Sequence, residues 1–279
     1  MKLVSENMNF LFLLLLGWSN PVKHVPEQLY MITYKFTLQK FESDPNSIRT
    51  GEAILISYGD SSIFMDRAQY VRDSLNNSPA LQKLDRRERL SIVYAQERAT
   101  FRYCVYKNYT SETVKYSEPV NGVYFTYEEP LPEIDWEILR DTLTISDYVC
   151  QKALGKFAGR TYEAWFSPEI PISDGPYKLG GLPGLIFRLE DSEGKIKFSL
   201  SGLVFSTIDY MPKFPERNKV SRKEFQKRKD HYNMNMGEYQ KGTGSVRKVV
   251  VNGKEETMEE YYEGVKQEYL DQVRIETEG

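Results

Sequence analysis

Apolar and polar residues alternate along several stretches of the chain, and the first stretch begins at Tyr30. From Tyr30 to Gln39, one face carries Tyr, Ile, Tyr, Phe and Leu, and the other carries Met, Thr, Lys, Thr and Gln. A period of two predicts a half-buried strand. Asp44-Pro45-Asn46 is a turn composition, and Ala53 to Tyr58 resumes the apolar pattern, so we expect a hairpin.

The same alternation predicts more strands over the first two-thirds of the chain. Turns are expected at Ala158-Gly159 and at the run from Asp191 to Gly194. The expected strands are Ser61–Met65, the stretch that carries Phe101, Tyr103 and Val105, Val120–Tyr127, Leu143–Leu154, Arg160–Phe166, Leu185–Leu189 and Ile196–Phe205.

Helical spacing replaces the alternation in two regions. Arg67 to Glu97 is polar and interrupted by an Asn-Asn-Ser-Pro run, which predicts two short helices or a mobile excursion. The C-terminal quarter predicts a basic helix near Ser221–Asn233, a small hairpin that starts at Val246 and turns at Asn252-Gly253, and a last helix from Thr257. In that helix Tyr262, Val265, Tyr269 and Val273 share one stripe, which we expect to dock on the sheet.

These elements predict a mainly β (α+β) fold: an antiparallel curved sheet or open half-barrel with helical additions, including a C-terminal helix. The 20 Tyr and 14 Phe favour strands, because aromatic side chains fit pleated surfaces. We expect a signal peptide over 1–24, the β domain over 25–210, and a helix and hairpin extension over 211–279 packed on or beside the sheet.

The N-terminal run NFLFLLLLGW, residues 9–18, has the length of a signal-peptide core and is too short to span a bilayer. A buried N-terminal helix is the alternative. No cysteine lies directly after the run, where a lipid anchor would be attached, and no other stretch is long enough to cross a membrane. The chain is therefore expected in the periplasm or outside the cell, without a lipid anchor.

The charge balance argues against nucleic acid as a partner, because 37 basic and 40 acidic residues give a net charge of -3. One local patch is basic, from Lys213 to Lys229, where only Glu216 and Glu224 are acidic. It is either a solvated helical face or a surface for an anionic partner such as lipid head groups or envelope glycans.

Histidine and cysteine are too few for several kinds of site. The only histidines are His24 and His231, which argues against a Ser-His-Asp or Cys-His centre and against a histidine-rich metal site. The two cysteines, Cys104 and Cys150, exclude a Cys-x2-Cys zinc site. Three alternatives are open for them: buried free thiols, a disulfide, or a reactive nucleophile. The third is the least favoured, because no nearby histidine is available to activate a thiolate. No cofactor is implied.

One segment, Tyr148 to Asp191, resembles the signature of the GLPGLI family of Bacteroidetes envelope proteins. The similarity is carried in order by Cys150-Gln151-Lys152-Ala153, Gly159-Arg160 followed by Tyr162 and Ala164-Trp165-Phe166, Ile170-Pro171, Gly175-Pro176, and the name motif Gly181–Ile186. Weaker similarity reaches Lys107-Asn108-Tyr109 and Asp135-Trp136. The resemblance implies an exported antiparallel β protein, often encoded beside outer-membrane transporters, with no established activity.

The chain also resembles, less closely, the N-terminal bowl-like domain of certain bacterial peptide N-glycosidases. Neither resemblance names a substrate. No family pattern is visible beyond about Asp209.

Glycines and prolines crowd the segment from Pro168 to Gly184, which predicts a rigid loop with positive φ at some glycines. The loop either closes the sheet, with Leu182, Leu185 and Ile186 in the core, or forms the rim of a binding site. Arg160 and Glu163 should face opposite sides of their strand. The candidate binding or motif residues are Arg160, Glu163, Trp165, Pro171, Gly175, Pro176, Tyr177, Lys178, Gly181, Leu182, Pro183 and Gly184.

Three functions remain open. The favoured one is a non-catalytic periplasmic binding or accessory protein of an outer-membrane complex, with an outer-membrane transporter or another envelope protein as partner. A carboxylate-dependent envelope hydrolase could use Glu163 or Asp135. A carrier could enclose an apolar ligand within the curved sheet. Any enzyme is the less favoured class, because no catalytic set is visible.

Overall fold

The computed structural model describes residues 29–205, 210–236, 248–251, 254–272 and 275. The expected signal peptide, the Asn252-Gly253 turn and Val273 of the C-terminal stripe lie outside the described residues. Among the described residues, no helix is both long and apolar enough to cross a membrane.

One antiparallel sheet of eleven strands forms the body of the protein, in agreement with the predicted fold class. The strands are β1 (Tyr30–Gln39), β2 (Ile48–Tyr58), β3 (Ser61–Asp66), β4 (Cys104–Asn108), β5 (Thr113–Val120), β6 (Val123–Pro130), β7 (Glu137–Ile145), β8 (Tyr148–Phe157), β9 (Arg160–Ser167), β10 (Leu185–Asp191) and β11 (Ile196–Phe205). Their order across the sheet is β6-β5-β4-β3-β2-β1-β11-β10-β9-β8-β7.

The sheet must curl, because its two edge strands are neighbours along the chain. β6 ends at Pro130 and β7 begins at Glu137, and a fully extended linker of this length spans roughly 25 Å. A flat sheet of eleven strands would hold its edges about 48 Å apart at the usual strand spacing of about 4.8 Å. The short linker is therefore possible only in an open barrel-like sheet with a concave interior.

The interior face carries the main hydrophobic core. In β1 the residues Tyr30, Ile32, Tyr34 and Phe36 are buried, while the alternate positions are more exposed, as the period of two predicts. The second half of β2, from Ala53 to Ser57, and the whole of β3 are buried on both faces, because a second cluster that includes Ile56 covers their outer side. Helix α1 (Arg67–Asn77) packs on that side.

Both helices expected between Arg67 and Glu97 are present, which settles that alternative in favour of ordered helices. α1 is capped by Asp66 and α2 (Arg86–Tyr94) by Asp85, with a short 3₁₀ turn at Leu81–Lys83 between them. Each aspartate accepts two backbone N–H bonds at the start of its helix, which satisfies donors that the helix itself cannot.

Two of the expected strands were wrong, because each contains a hairpin turn. Val120–Tyr127 is interrupted at Asn121-Gly122, and Leu143–Leu154 at Ser146-Asp147, so each expected strand belongs to two neighbours in the sheet. The turn residues have positive φ, +50° and +76° in the first turn and +49° and +68° in the second. Such two-residue turns suit tight hairpins, but Ser146-Asp147 lacks the glycine that usually marks them.

The C-terminal part contributes helix α3 (Arg222–Met234), the ribbon of β12 (Lys248–Val251) and β13 (Lys254–Thr257), and helix α4 (Met258–Leu270). Phe225 of α3 is buried in the main core. Backbone bonds from Thr126 N–H to the Asn218 carbonyl and from Val220 N–H to the Thr126 carbonyl cover part of the β6 edge.

Helix α4 begins with the capping box of Thr257 and Glu260. It meets α3, where the Tyr269 hydroxyl bonds Asp230, and its end reaches the β1–β2 connection through Glu42 N–H and the Asp271 carbonyl, 2.7 Å apart. The predicted docking of the last helix is thus found at the rim of the sheet and on α3.

Candidate functional site

The segment between β9 and β10, residues 168–184, lies inside the curled sheet, and we call it the plug. It contributes five buried apolar side chains to the main core: Ile170, Ile172, Tyr177, Leu179 and Leu182. Leu185 and Ile186, which follow directly, are also buried, as one of the two interpretations of the motif expects. The interior of the sheet is therefore occupied by the chain itself.

A buried ion pair anchors the first half of the plug to β4. Lys107 and Asp174 are in contact, and their side chains are 1% and 0% exposed. The Lys107 ammonium also donates to the carbonyls of Gly175, at 2.9 Å, and Leu179, at 3.2 Å. Burial lowers the pKa of Lys107, against the pull of Asp174, which raises it. All three donors of the ammonium are satisfied by the plug.

A second buried lysine anchors the other side of the plug to β6. Lys178 donates to the Tyr127 hydroxyl at 3.0 Å and to Glu129 at 2.5 Å. Its ammonium lies 5.3, 5.0 and 5.5 Å from the ring centres of Tyr116, Tyr127 and Tyr177. Desolvated contacts between an ammonium and aromatic faces are favourable, so this lysine is held by both a charge and a cage of rings.

A third contact ties the plug to the linker that joins the sheet edges. The Trp136 indole N–H donates to the Gly180 carbonyl at 2.9 Å, and the ring packs against Gly155 of β8. Asp135, by contrast, is exposed. The Asp135-Trp136 pair thus divides into a structural tryptophan and a surface carboxylate.

The glycine at position 184 cannot carry a side chain. Its φ is +154°, and a Cβ atom there would lie 2.1 Å from the Ser167 carbonyl oxygen. The chain can return from the plug to β10 this close to the end of β9 only without a Cβ. The predicted positive φ is confirmed at Gly181 and Gly184.

Arg160 and Glu163 face opposite sides of β9, as predicted. Arg160 is buried and pairs with Asp191 at 3.0 Å, which ties β9 to the β10–β11 turn. Glu163 lies on the outer face, where it accepts bonds from Lys152 at 2.6 Å and from the Trp165 indole at 2.8 Å. The hydrogen bond from Lys152 is the main cause that lowers the pKa of Glu163.

The structure does not bring the candidate residues together around one cavity. The buried candidates of the plug are Gly175, Pro176, Tyr177, Lys178, Leu182 and Gly184, and its exposed candidates are Pro171, Gly181 and Pro183. The other three lie on β9: Glu163 and Trp165 on its outer face, and Arg160 at its first position. Tyr177 and Lys178 in particular are interior residues and not an accessible rim.

Sequence reasoning did not name Lys107 as a site residue, although its ammonium makes three contacts with the plug. A signal was present, because Lys107 continues the alternation that buries Val105 on the same strand. A lysine at a core position of a strand predicts a buried charged partner.

Both cysteines are buried free thiols, the first of the three alternatives. Cys104 lies on β4 and Cys150 on β8, which are seven places apart in the sheet. Burial raises the pKa of Cys150 to about 11 and that of Cys104 further above its ordinary value, so neither is primed as a nucleophile. The part of the chain that the structure describes contains no cluster of three or more His, Cys, Asp or Glu residues that could hold a metal.

An open groove of about 350 Å³ lies at the rim of the sheet, between the β5–β6 turn and α3. It is on the face of β5 and β6 that carries the main core, and we call it the outer groove because it opens to solvent. Its lining includes Val120, Val123 and Phe125 from the hairpin and Lys227, Arg228, His231 and Tyr232 from α3. The basic patch was visible in the sequence, but the groove was not, because it forms only when α3 packs on β5 and β6.

These features define a class of protein: a curled antiparallel sheet whose interior is filled by its own Gly/Pro-rich segment. A family model described as a protein of unknown function (Porph_ging) matches residues 157–188, which comprise the end of β8, β9, the plug and the start of β10. A comparison with curated proteins gave no match.

Among solved structures, the chain is similar to PNGF-II in space groups P21 and C2, at 17% and 16% identity and with a TM-score of 0.49 for each. The similarity covers 72% of this chain in both cases, and 33% and 32% of the PNGF-II chains. The chain thus spans about a third of the length of these structures.

Proposed function

We propose that this protein is a non-catalytic member of the GLPGLI family that is exported to the periplasm or beyond, where it serves as a binding or accessory protein of an outer-membrane complex. The observation that carries the proposal is the plug. Because residues 168–184 fill the interior of the sheet, recognition is left to the outer surface. The apolar run at residues 9–18 supports export.

The anchors of the plug support a structural role for the motif. Lys107 of β4 binds three plug atoms, and Lys178 of the plug binds two side chains of β6. A buried pair such as Lys107–Asp174 is costly to break, by about 3–5 kcal/mol for loss of one partner. A carrier of an apolar ligand would have to release these contacts to empty its interior.

A carboxylate-dependent hydrolase receives less support. A general acid of that mechanism needs a raised pKa, whereas Lys152 lowers the pKa of Glu163. Asp135 is exposed on the linker, where water reaches its carboxylate. Assays over a glycan and peptide panel, with the Glu163→Gln and Asp135→Asn variants, test this alternative. Turnover that either substitution abolishes would contradict the accessory role.

Affinity capture from the native cell tests the accessory role directly. A chain tagged at its C-terminus, cross-linked in intact cells and purified with solubilised envelope, should retain an outer-membrane transporter or another envelope protein. A tagged, unrelated exported protein is the control for non-specific retention. Repeated recovery of the chain alone, or recovery from the cytoplasmic fraction with residues 1–24 still attached, would overturn the proposal.

A further inference from the structure

The outer groove has an apolar floor that is already rigid. Phe125 and Tyr232 line it, and the helix beside it is fixed because Phe225 is 3% exposed and packs on the rings of Tyr116 and Tyr127. A ligand that enters such a groove has little ordering to impose on the protein, which favours binding.

One rim of the groove is cationic. The guanidinium of Arg228 lies 5.2 Å from the ring centre of Phe125, and Glu224 holds it in place at 2.8 Å. Lys227 lines the same groove, is exposed, and takes part in no ion pair with another described residue. The Arg228 guanidinium is thus held by contacts within the protein, whereas the Lys227 ammonium is available to a ligand.

The charge around the groove is unusual for this chain. From Lys213 to Lys229 there are eight basic and two acidic residues in a protein whose net charge is -3. Several of these cations are used internally, for example Lys229 by Glu118 and Arg222 by Glu129. Lys223 lies one helical turn before Lys227, is also exposed, and has no acidic partner in the described structure.

The shape of the groove distinguishes between anionic partners. A membrane surface is broad and would need several exposed apolar side chains to insert, whereas among the described residues only Val123, 48% exposed, is a large exposed apolar residue at this rim. A groove of about 350 Å³ with an apolar floor and lysines along one side matches the size of one or two peptide side chains with acidic neighbours.

We propose that the outer groove binds a short acidic segment of a partner protein, with one large apolar side chain on the Phe125–Tyr232 floor and a carboxylate beside Lys227. The inference rests on the proposed function in one respect, that the chain binds a protein. The lysine charge should select an acidic partner, and the apolar floor should determine which side chain of the bound segment enters the groove.

Fluorescence anisotropy with a defined peptide tests the site. The probe is fluorescein-labelled Gly-Glu-Asp-Phe-Glu-Asp-Gly, measured with the full mature chain at low and moderate salt. We expect saturable binding that weakens with salt, and at least about a tenfold loss of affinity for both Lys227→Glu and Val123→Asp. Replacement of the peptide Phe by Ser should cause a comparable loss.

The matched control is Lys156→Glu, which reverses the charge of an exposed lysine on β8 that does not line the groove, and should leave the affinity unchanged. All three variants change exposed side chains, and their melting temperatures verify folding. Equal affinities for the native chain and Lys227→Glu would overturn the inference. Retention of the native chain on phosphatidylcholine vesicles containing phosphatidylglycerol, if the double variant Lys223→Glu/Lys227→Glu abolishes it, would also overturn the inference. The ligand of the groove would then be a lipid surface.

The two proposals fail separately. A peptide that does not bind refutes the assignment of the groove, whereas an empty capture from the native envelope refutes the accessory role whatever the peptide does.

Discussion

At the scale of single residues, two lysines that a sequence reader would place on the surface lie in the interior. Lys107 is satisfied by Asp174 and two plug carbonyls, and Lys178 by Glu129 and a hydroxyl within a cage of tyrosine rings. Their partners are distant along the chain, and the members of the first pair are 67 positions apart. These contacts link parts of the sheet that no strand pairing joins.

The burial of the Lys107–Asp174 pair predicts how much its loss lowers the free energy of unfolding. Lys107→Met should destabilise the protein by about 3 kcal/mol or more, because it leaves Asp174 charged and buried. Asp174→Asn should cost a similar amount, and the double variant should cost much less than the sum of the two. Urea denaturation of the four proteins measures the coupling.

The outer pair of Lys152 and Glu163 is the matched control, since both side chains are partly exposed. Lys152→Met should cost under about 1 kcal/mol. Additive effects of Lys107→Met and Asp174→Asn would show that the buried pair is not formed.

At the scale of elements, the sequence predicted most strands and both helices between Arg67 and Glu97, but it did not predict β5 and it misplaced several ends. Alternation predicted β1 and β9, and the Gly/Pro content of residues 168–184 predicted a rigid bend. The hairpin at Ser146-Asp147 was missed because its positive φ is adopted without glycine. That the bend turns inward could not be deduced, because the contacts that hold it are with β4 and β6.

The Gly184 bend can be tested against a second glycine with positive φ. Gly184→Ala should cost about 2 kcal/mol or more, because its Cβ would collide with the Ser167 carbonyl. Gly122→Ala also places a side chain at positive φ but into open space, so about 1 kcal/mol is expected there. Denaturant midpoints of the two variants provide the comparison, and equal losses would contradict the close approach.

At the scale of the whole molecule, the strand order could not be predicted from the sequence. β1 pairs with β11, although these are the first and last strands of the sheet along the chain. The closeness of the edge strands β6 and β7 can be inferred only once that order is known. Candidate site residues named from one motif therefore separated into interior, outer face and strand end. Most of them belong to the plug, and the rest lie on β9, with no shared cavity.

The C-terminal part also belongs to this scale, since Phe225 lies in the main core and residues 218–220 cover the β6 edge. A chain truncated after residue 210 should melt at a lower temperature and associate as concentration rises, because that edge becomes available for pairing. Truncation after residue 236 keeps both features and should lose less. A monomer that ends at residue 210 and melts unchanged would show that the extension is dispensable.

Hydrogen–deuterium exchange of the intact mature chain measures whether the plug is a fixed part of the core. The amides of Asp174, Leu179 and Gly181 donate to carbonyls within the plug, and Ile186 N–H donates to the Asp174 carbonyl. If the plug fills the sheet as a fixed part of the core, these amides should exchange as slowly as those of β9 and β10, through global unfolding. Exchange of the plug orders of magnitude faster than β9, at a rate close to that of the exposed Ser146-Asp147 turn, would contradict the account.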